Sequence, residues 1–406
     1  MNSVLKNKMS AIGAATGVCM QFDFPDGSSI RNGERAPDVA IRFRKRRAQW
    51  RTALFGHVGF LESYFDGDID IDGDLALAFR AALDAGFDKN PNPLVAIRNR
   101  WHEFLFGNGS IAQAKANARK KHYGLGNEFY RFWLDKPAMM YTCAYWKEGT
   151  KTLEEAQRNK MDHVCRKVQL KAGETFADVG CGWGGLLFHA WENFGALGTG
   201  INTTTEQVEE ARREIERRGL AGKLNVIESD FRRAPGQFDK LLSIGCLEHA
   251  GRDNLPDVIR TQADLLKPGG LGVIHFIGHV GEFDTDFFIR KHIFPGGWIP
   301  SLARVIECAE QSGLEVLDVE NLRRHYALTL DEWAARFDRN WEEIRSLDPV
   351  KFDESFRRKW RSYLYSCAEL FRSPKSRTHL FQVLVSKGNV GAKYPMTRSY
   401  FYPPAL

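Results

Sequence analysis

Between residues 175 and 277 the chain alternates short apolar runs with amphipathic stretches. The apolar runs fall at 175–179, 196–201, 223–228, 238–244 and 271–277. Runs of that length, bounded by turn residues, read as buried strands. Helical patterns separate them at 186–194, 207–218 and 255–266, and the last closes on the stop signal Lys267-Pro268-Gly269-Gly270. Strands alternating with helices build βαβ units around a parallel sheet. Two later runs, 314–319 and 380–385, are placed to pair as an antiparallel edge. The pattern therefore predicts an α/β fold with a doubly wound sheet of seven strands. Open sheets of this kind hold ligands at the carboxyl ends of their strands.

Upstream the pattern changes, and residues from about 20 to 105 read as a separate, smaller α+β unit. Segments 21–24 and 40–43 are expected as strands around the turn Asp26-Gly27-Ser28, with helices after them. Over residues 66–74 aspartates alternate with Ile69 and Ile71. A calcium loop would need a twelve-residue spacing ending in glutamate, which is missing, so a strand with a polar face is expected instead. Residues 107–121 are small, polar and basic and predict a linker. The expected organisation is an N-terminal domain over 1–106, that linker, a second domain over 122–390 and a tail over 391–406.

The second domain's first strand breaks into Asp178-Val179-Gly180-Cys181-Gly182-Trp183-Gly184-Gly185 and opens a helix. Glycine at this elbow permits positive φ and close approach of a ligand to the backbone. The spacing is shorter than in dinucleotide folds, and Asp178 beside the turn would repel a pyrophosphate. An adenosine ligand with a cationic centre fits better than NAD. With the strand pattern around it, this elbow is expected to be that of a class I methyltransferase holding S-adenosylmethionine, where the glycines alone would fit any tight βα turn.

Composition narrows the picture. A chain of 406 residues is long enough for more than one core. No stretch reaches the roughly 18 apolar residues needed to span a bilayer, so any membrane contact is expected to be peripheral. Residues 1–12 are basic but lack the apolar core and cleavage site of a secretory signal, which predicts a cytoplasmic protein. The seven cysteines are scattered, with no Cys-x-x-Cys pair, and suggest neither disulfides nor zinc. Net charge is only +6, but basic residues bunch at 42–51 and 118–122. Such clusters suit anionic phospholipid headgroups or nucleic acid, against the commoner solvated helix face.

The chemistry-bearing motifs come in a fixed order. His122-Tyr123-Gly124-Leu125-Gly126-Asn127-Glu128-Phe129-Tyr130 and Met140-Tyr141-Thr142-Cys143-Ala144-Tyr145-Trp146 precede the glycine elbow. Leu247-Glu248-His249-Ala250-Gly251, Ile274-His275-Phe276-Ile277-Gly278 and Tyr326 follow it. Over about residues 121–388 this set resembles the cyclopropane fatty acid synthase family, which includes the mycolic acid methyltransferases. The N-terminal unit looks like the lipid-binding domain of the bacterial synthases. The resemblance implies methyl transfer from S-adenosylmethionine to a cis double bond of an acyl chain, then loss of a proton from the added methyl as the ring closes. The substrate implied is an unsaturated phospholipid at the membrane surface, with no nucleic acid partner. A homodimer through the N-terminal unit would add membrane avidity.

In that family a bicarbonate ion is the base, and the resemblance carries its positions onto five residues here. Cys143 and Ile277 would present backbone N–H groups, while Glu248, His275 and Tyr326 would orient the anion with their side chains. For S-adenosylmethionine it assigns Tyr141, Thr142, Gly180, Gly182 and Gln207, with Asp230 and Phe231 flanking the adenine; Asp178 and Asn202 complete the expected cofactor set. No metal is expected: His275 and His279 are spaced like a ligand pair but lie at a strand end rather than on a helix. The chain departs from the family pattern at Asn202, where threonine is usual, at Gly124, where aspartate is usual, and at Cys246-Leu247-Glu248, which replaces an aromatic-Glu pairing. These departures leave open a methylene or methyl-branched product, and the fold alone would also suit a small-molecule N- or O-methyltransferase.

Overall fold

The computed structural model describes residues 16–86, 93–106 and 123–402, with isolated positions 7 and 12. The linker expected at 107–121, its basic run at 118–122 and His122 lie outside the described residues. The chain divides into two compact units.

The first unit carries a four-stranded sheet in the order β2-β1-β3-β4, formed by β1 (Met20–Asp23), β2 (Ser29–Arg31), β3 (Val39–Phe43) and β4 (Ile69–Gly73). β1 and β2 form a hairpin over the 26–28 turn, and β3 runs parallel to β1. The acidic stretch is strand β4, antiparallel to β3. Asp66, Asp68, Asp70 and Asp72, the last two within β4, account for most of the basic run: Arg42 pairs with Asp72 and Arg51 with Asp66 (2.6 Å each), Arg44 with Asp70, and both Lys45 and Arg47 with Asp68. The expected cationic patch at 42–51 is thus largely an internal ladder. The unit also takes in Asp286–Ile293 and Leu330–Ser376, which the sequence pattern had assigned to the second domain. Helix Glu354–Arg372 from that region joins it through Arg358 to Asp70 (2.9 Å) and through Glu369 to Arg80 (2.7 Å).

The second unit holds a seven-stranded sheet: β5 (Thr175–Val179), β6 (Leu197–Asn202), β7 (Leu224–Glu228), β8 (Phe238–Ile244), β9 (Leu266–His279), β10 (Leu314–Asn321) and β11 (Thr378–Lys387). Their order is β10-β11-β9-β8-β5-β6-β7, parallel from β9 to β7 and antiparallel where β11 joins β9 and β10. This is the doubly wound methyltransferase sheet. The Lys-Pro-Gly-Gly segment is no free loop: β9 starts at Leu266, and residues 267–270 bulge out while β8 advances from Phe238 to Lys240.

Alternate residues of each strand feed two cores. On one face Ala177, Val179, Ile274, Phe276, Phe381 and Val383 pack beneath helices Leu255–Asp264 and Leu302–Gln311. On the other, Phe176, Leu242, Ile244, Val273 and Leu384 meet helices Leu153–Lys167, Gly185–Phe194 and Thr205–Arg217. Period-2 alternation therefore sends His275 and Gln382 to this second face. A capping box between Thr152 and Glu155 fixes the start of helix Leu153–Lys167, hence which residues it turns inward. The tail packs on β10, with Arg398 paired to Asp318 and Tyr402 donating to Glu320 Oε1 (2.8 Å).

Candidate active site

The elbow lies at the carboxyl end of β5. Gly180 has φ +79° and donates its N–H to Ile201 O (2.8 Å), and a Cβ there would stand 3.0 Å from Cys246 Sγ. Gly182 has φ +53°, and left-handed Gly184 caps helix Gly185–Phe194. No side chain caps that helix start, which leaves its N–H groups to a ligand. Asn202 braces the turn: its Nδ2 donates to Gly182 O (3.2 Å) and Gln207 Oε1 (2.9 Å), while its Oδ1 accepts from the Thr203 and Thr204 N–H groups. Asparagine makes two N–H donations here as well as accepting, whereas a threonine hydroxyl has a single donor. Asp230 is gripped by Arg232; burial raises its carboxyl, but the guanidinium and N–H of Arg232 outweigh that and hold it low. Phe231 starts the single turn Phe231–Arg233 beside it.

Helix Leu153–Lys167 shapes the other wall. Gln157 Nε2 donates to Met140 O (3.2 Å) and Thr142 O (2.9 Å), and fully buried Lys160 donates to Thr142 Oγ1 (2.8 Å). The segment carrying Tyr141, Thr142 and Cys143 is thereby stapled at three points. Tyr141 packs edge-on against Trp133 (5.0 Å) and near Tyr130 (5.5 Å), which in turn meets Trp183 of the elbow. Burial pushes Asp178 up to about 7, and the charge of Lys160 opposes the shift. Burial likewise pulls Lys160 down, against Asp135, Cys143 and Asp178.

Strand pairing assembles the polar pocket. β8 ends opposite β9 with Ile244 beside His275, and the turn after β8 carries Glu248. Glu248 Oε1 accepts the Ile277 N–H (2.7 Å), so that N–H holds the carboxylate, where the sequence reading had it facing an anion. Glu248 Oε2 and His275 Nε2 are both buried and have no hydrogen-bond partner among the described residues. Burial pushes Glu248 up to about 7, against the Ile277 N–H. Burial first, and Lys160 next, hold His275 far below its ordinary value, so its ring is neutral.

Cys143 is buried and its thiol is driven up, which keeps it protonated. Its segment is tied to the helix that bears Tyr326: Ala144 N–H and Trp146 Nε1–H both donate to Thr329 Oγ1 (3.1 Å each), and Trp146 N–H donates to His325 Nδ1 (2.9 Å). Tyr326 itself is buried. Lys160 acts electrostatically on both Cys143 and His275. Among the described residues no group of three His, Cys, Asp or Glu side chains is arranged to hold a metal ion, and His279 shares a hydrogen bond with Thr378 (3.2 Å). Sequence reasoning missed Gln157, Lys160, Thr329 and Gln382. For the first two a signal existed: they occupy the 3.6-residue apolar stripe of Leu153, Ala156, Met161 and Val164.

The glycine elbow after β5 and the strand ends that carry Glu248 and His275 thus lie on neighbouring strands of one sheet. The family model described as mycolic acid cyclopropane synthetase matches residues 111–383. A probable fatty acid methyltransferase of Pseudomonas putida is 34% identical over 356 residues, 84% of this chain and 85% of its own. The cyclopropane-fatty-acyl-phospholipid synthase of Escherichia coli K12 is 33% identical over 365 residues, 88% of this chain and 90% of its own. Among solved structures, the mycolic acid cyclopropane synthase CmaA1 complexed with SAH and CTAB aligns with a TM-score of 0.62 at 30% identity, over 67% of this chain and 98% of that one. Fold, elbow and these matches agree that the chain belongs to the cyclopropane fatty acid synthase family of S-adenosylmethionine-dependent methyltransferases.

Proposed function

We propose that the enzyme adds a methylene bridge across a cis double bond of an unsaturated phospholipid acyl chain, yielding a cyclopropane fatty acid. One S–C bond, one methyl C–H bond and the alkene π bond break, two C–C bonds form, the proton passes to a base and S-adenosylhomocysteine leaves. The observation that carries the reading is the pair of buried, partnerless atoms Glu248 Oε2 and His275 Nε2. An unpaired buried polar atom costs about 1–3 kcal/mol, so a pair of them argues for a bound group.

Bicarbonate fits this donor set. Glu248 Oε2 would accept its O–H, His275 would face one of its oxygens, and the Cys143 N–H and the Tyr326 hydroxyl would complete the cradle. When bound, it supplies the base for the proton lost from the added methyl. S-adenosylmethionine, held at the elbow by residues 180–184, 207 and 230–231 and by Tyr141 and Thr142, supplies an electrophilic methyl. An isolated alkene is a weak nucleophile, so the protein's contribution is alignment and exclusion of water. Cys143 and His275 are buried and Glu248 Oε2 is closed to solvent, which would keep water from the reacting carbons. A protonated Cys143 thiol also does not compete for the methyl.

Phospholipid, rather than another acyl carrier, is supported by chain coverage. The phospholipid synthase of E. coli matches 88% of this chain, whereas CmaA1 matches 67%. Peripheral membrane attachment is supported by helix Pro93–Phe106, which exposes Leu94, Ile97 and Trp101, and among the described residues no helix is long and apolar enough to cross a membrane. Lipid analysis of a host with and without this chain tests the reading. Unsaturated acyl chains should gain one CH2 and then resist hydrogenation; a reducible methylene product or a methyl branch would move the assignment elsewhere in the family.

A further inference from the structure

Gln382 stands on β11 opposite His275 on β9, in the register that also sets Thr378 opposite His279. Both residues are sealed from solvent, at 0% and 1% exposure, so water cannot decide how they meet. Gln382 Nε2 lies 3.0 Å from His275 Nδ1. An amide nitrogen only donates, so Nδ1 accepts and carries no proton. Because burial keeps the ring neutral, its single proton then sits on Nε2, the nitrogen with no partner among the described residues.

We propose that Gln382 is a positioning residue that fixes His275 as the Nε2–H tautomer and so makes it a hydrogen-bond donor to the small anion beside Glu248. This rests on the reading of that pocket as an anion site. The opposite orientation of the amide would put Oε1 on an Nδ1–H and turn a bare Nε2 lone pair toward the anion. Either orientation leaves one amide atom of Gln382 unpaired, as Oε1 is here. What His275 faces therefore decides between them, and an anion requires a donor. Glu248 and His275 then divide the work: one accepts the anion's O–H, the other donates to its oxygen. The charged and titratable groups acting on the ring are Lys160, Lys167, Glu320 and His163; of these Glu320 stands on β10 opposite Gln382 and is held by Lys167 and His163.

The test is nitrogen-15 NMR of the full-length protein labelled at histidine, with His275→Gln used to assign the ring. The expected spectrum shows His275 protonated at Nε2 and bare at Nδ1. Gln382→Glu should move the proton to Nδ1, and both Gln382→Glu and Gln382→Leu should raise the bicarbonate concentration needed for half-maximal methyl transfer by about tenfold to a hundredfold, the usual effect of losing a histidine's outer partner. Binding of S-adenosylhomocysteine by calorimetry should change by less than about twofold, because Gln382 is not in the cofactor set, and it also reports that the variants are folded. An Nδ1–H tautomer in the unmodified protein overturns the proposal even if neither variant folds, as does wild-type bicarbonate dependence in folded variants. An unmodified enzyme indifferent to bicarbonate overturns it together with the anion reading, while the ring spectrum separates that failure from the first.

Discussion

In the proposed reaction Glu248 is the residue on which the chemistry turns, and its titration gives it a signature. Its folded value of about 7 lies above the roughly 4.3 of an unfolded glutamate. Its contribution to stability is therefore fully present below about pH 4.3 and is lost as pH rises through 7. Glu248→Gln keeps an oxygen for the Ile277 N–H but cannot ionise. Its thermal midpoint relative to the unmodified protein should rise from pH 5 to pH 7 and level off by pH 8 in scanning calorimetry; a pH-independent difference would contradict the assigned shift. Methyl transfer should fall about a hundredfold or more, the usual scale for losing acid–base support. The motifs around Glu248, His275 and Tyr326 were readable because their residue types are unusual beside a strand end. Gln382 was not, because its role is set by a partner 107 residues away, and a lone glutamine in an apolar strand looks like a surface position.

At the scale of elements, helix Leu153–Lys167 is what sets the cofactor wall, since Gln157 and Lys160 hold the segment that carries Tyr141, Thr142 and Cys143. Gln157→Leu strips two buried carbonyls of their donor without changing charge. It should cost about 1–3 kcal/mol in denaturant unfolding and weaken S-adenosylhomocysteine binding severalfold by calorimetry. Unchanged affinity would mean that the segment holds its shape without the staple. Strands β5 to β9 were legible because buried parallel strands are continuous apolar runs, and the elbow because its glycines need positive φ. The 267–270 bulge was not, because a Pro-Gly-Gly sequence reads the same whether it ends a helix or swells a strand. Nor was the recruitment of residues 330–376 into the first unit, which depends on contacts such as Arg80 with Glu369 that span most of the chain.

For the whole molecule, net charge is a poor guide to the proposed membrane attachment. The basic run at 42–51 is largely matched by the aspartates of residues 66–72, so apolar contact at helix Pro93–Phe106 is expected to outweigh charge in that attachment. Ile97 and Trp101 are 66% and 64% exposed. Trp101→Ala with Ile97→Asp should remove most co-sedimentation with anionic vesicles, whereas raising salt to physiological strength should weaken it by less than about tenfold. A steep salt dependence with little effect of the double substitution would return the attachment to electrostatics. The central claim concerns the reaction. Purified enzyme, methyl-deuterated S-adenosylmethionine and vesicles of a cis-unsaturated phospholipid, followed by mass spectrometry of the acyl chains, test it most directly. The expected product keeps two of the three methyl deuterons and resists hydrogenation; a labelled chain that keeps all three, or that takes up hydrogen, would contradict ring closure by loss of a proton from the added methyl.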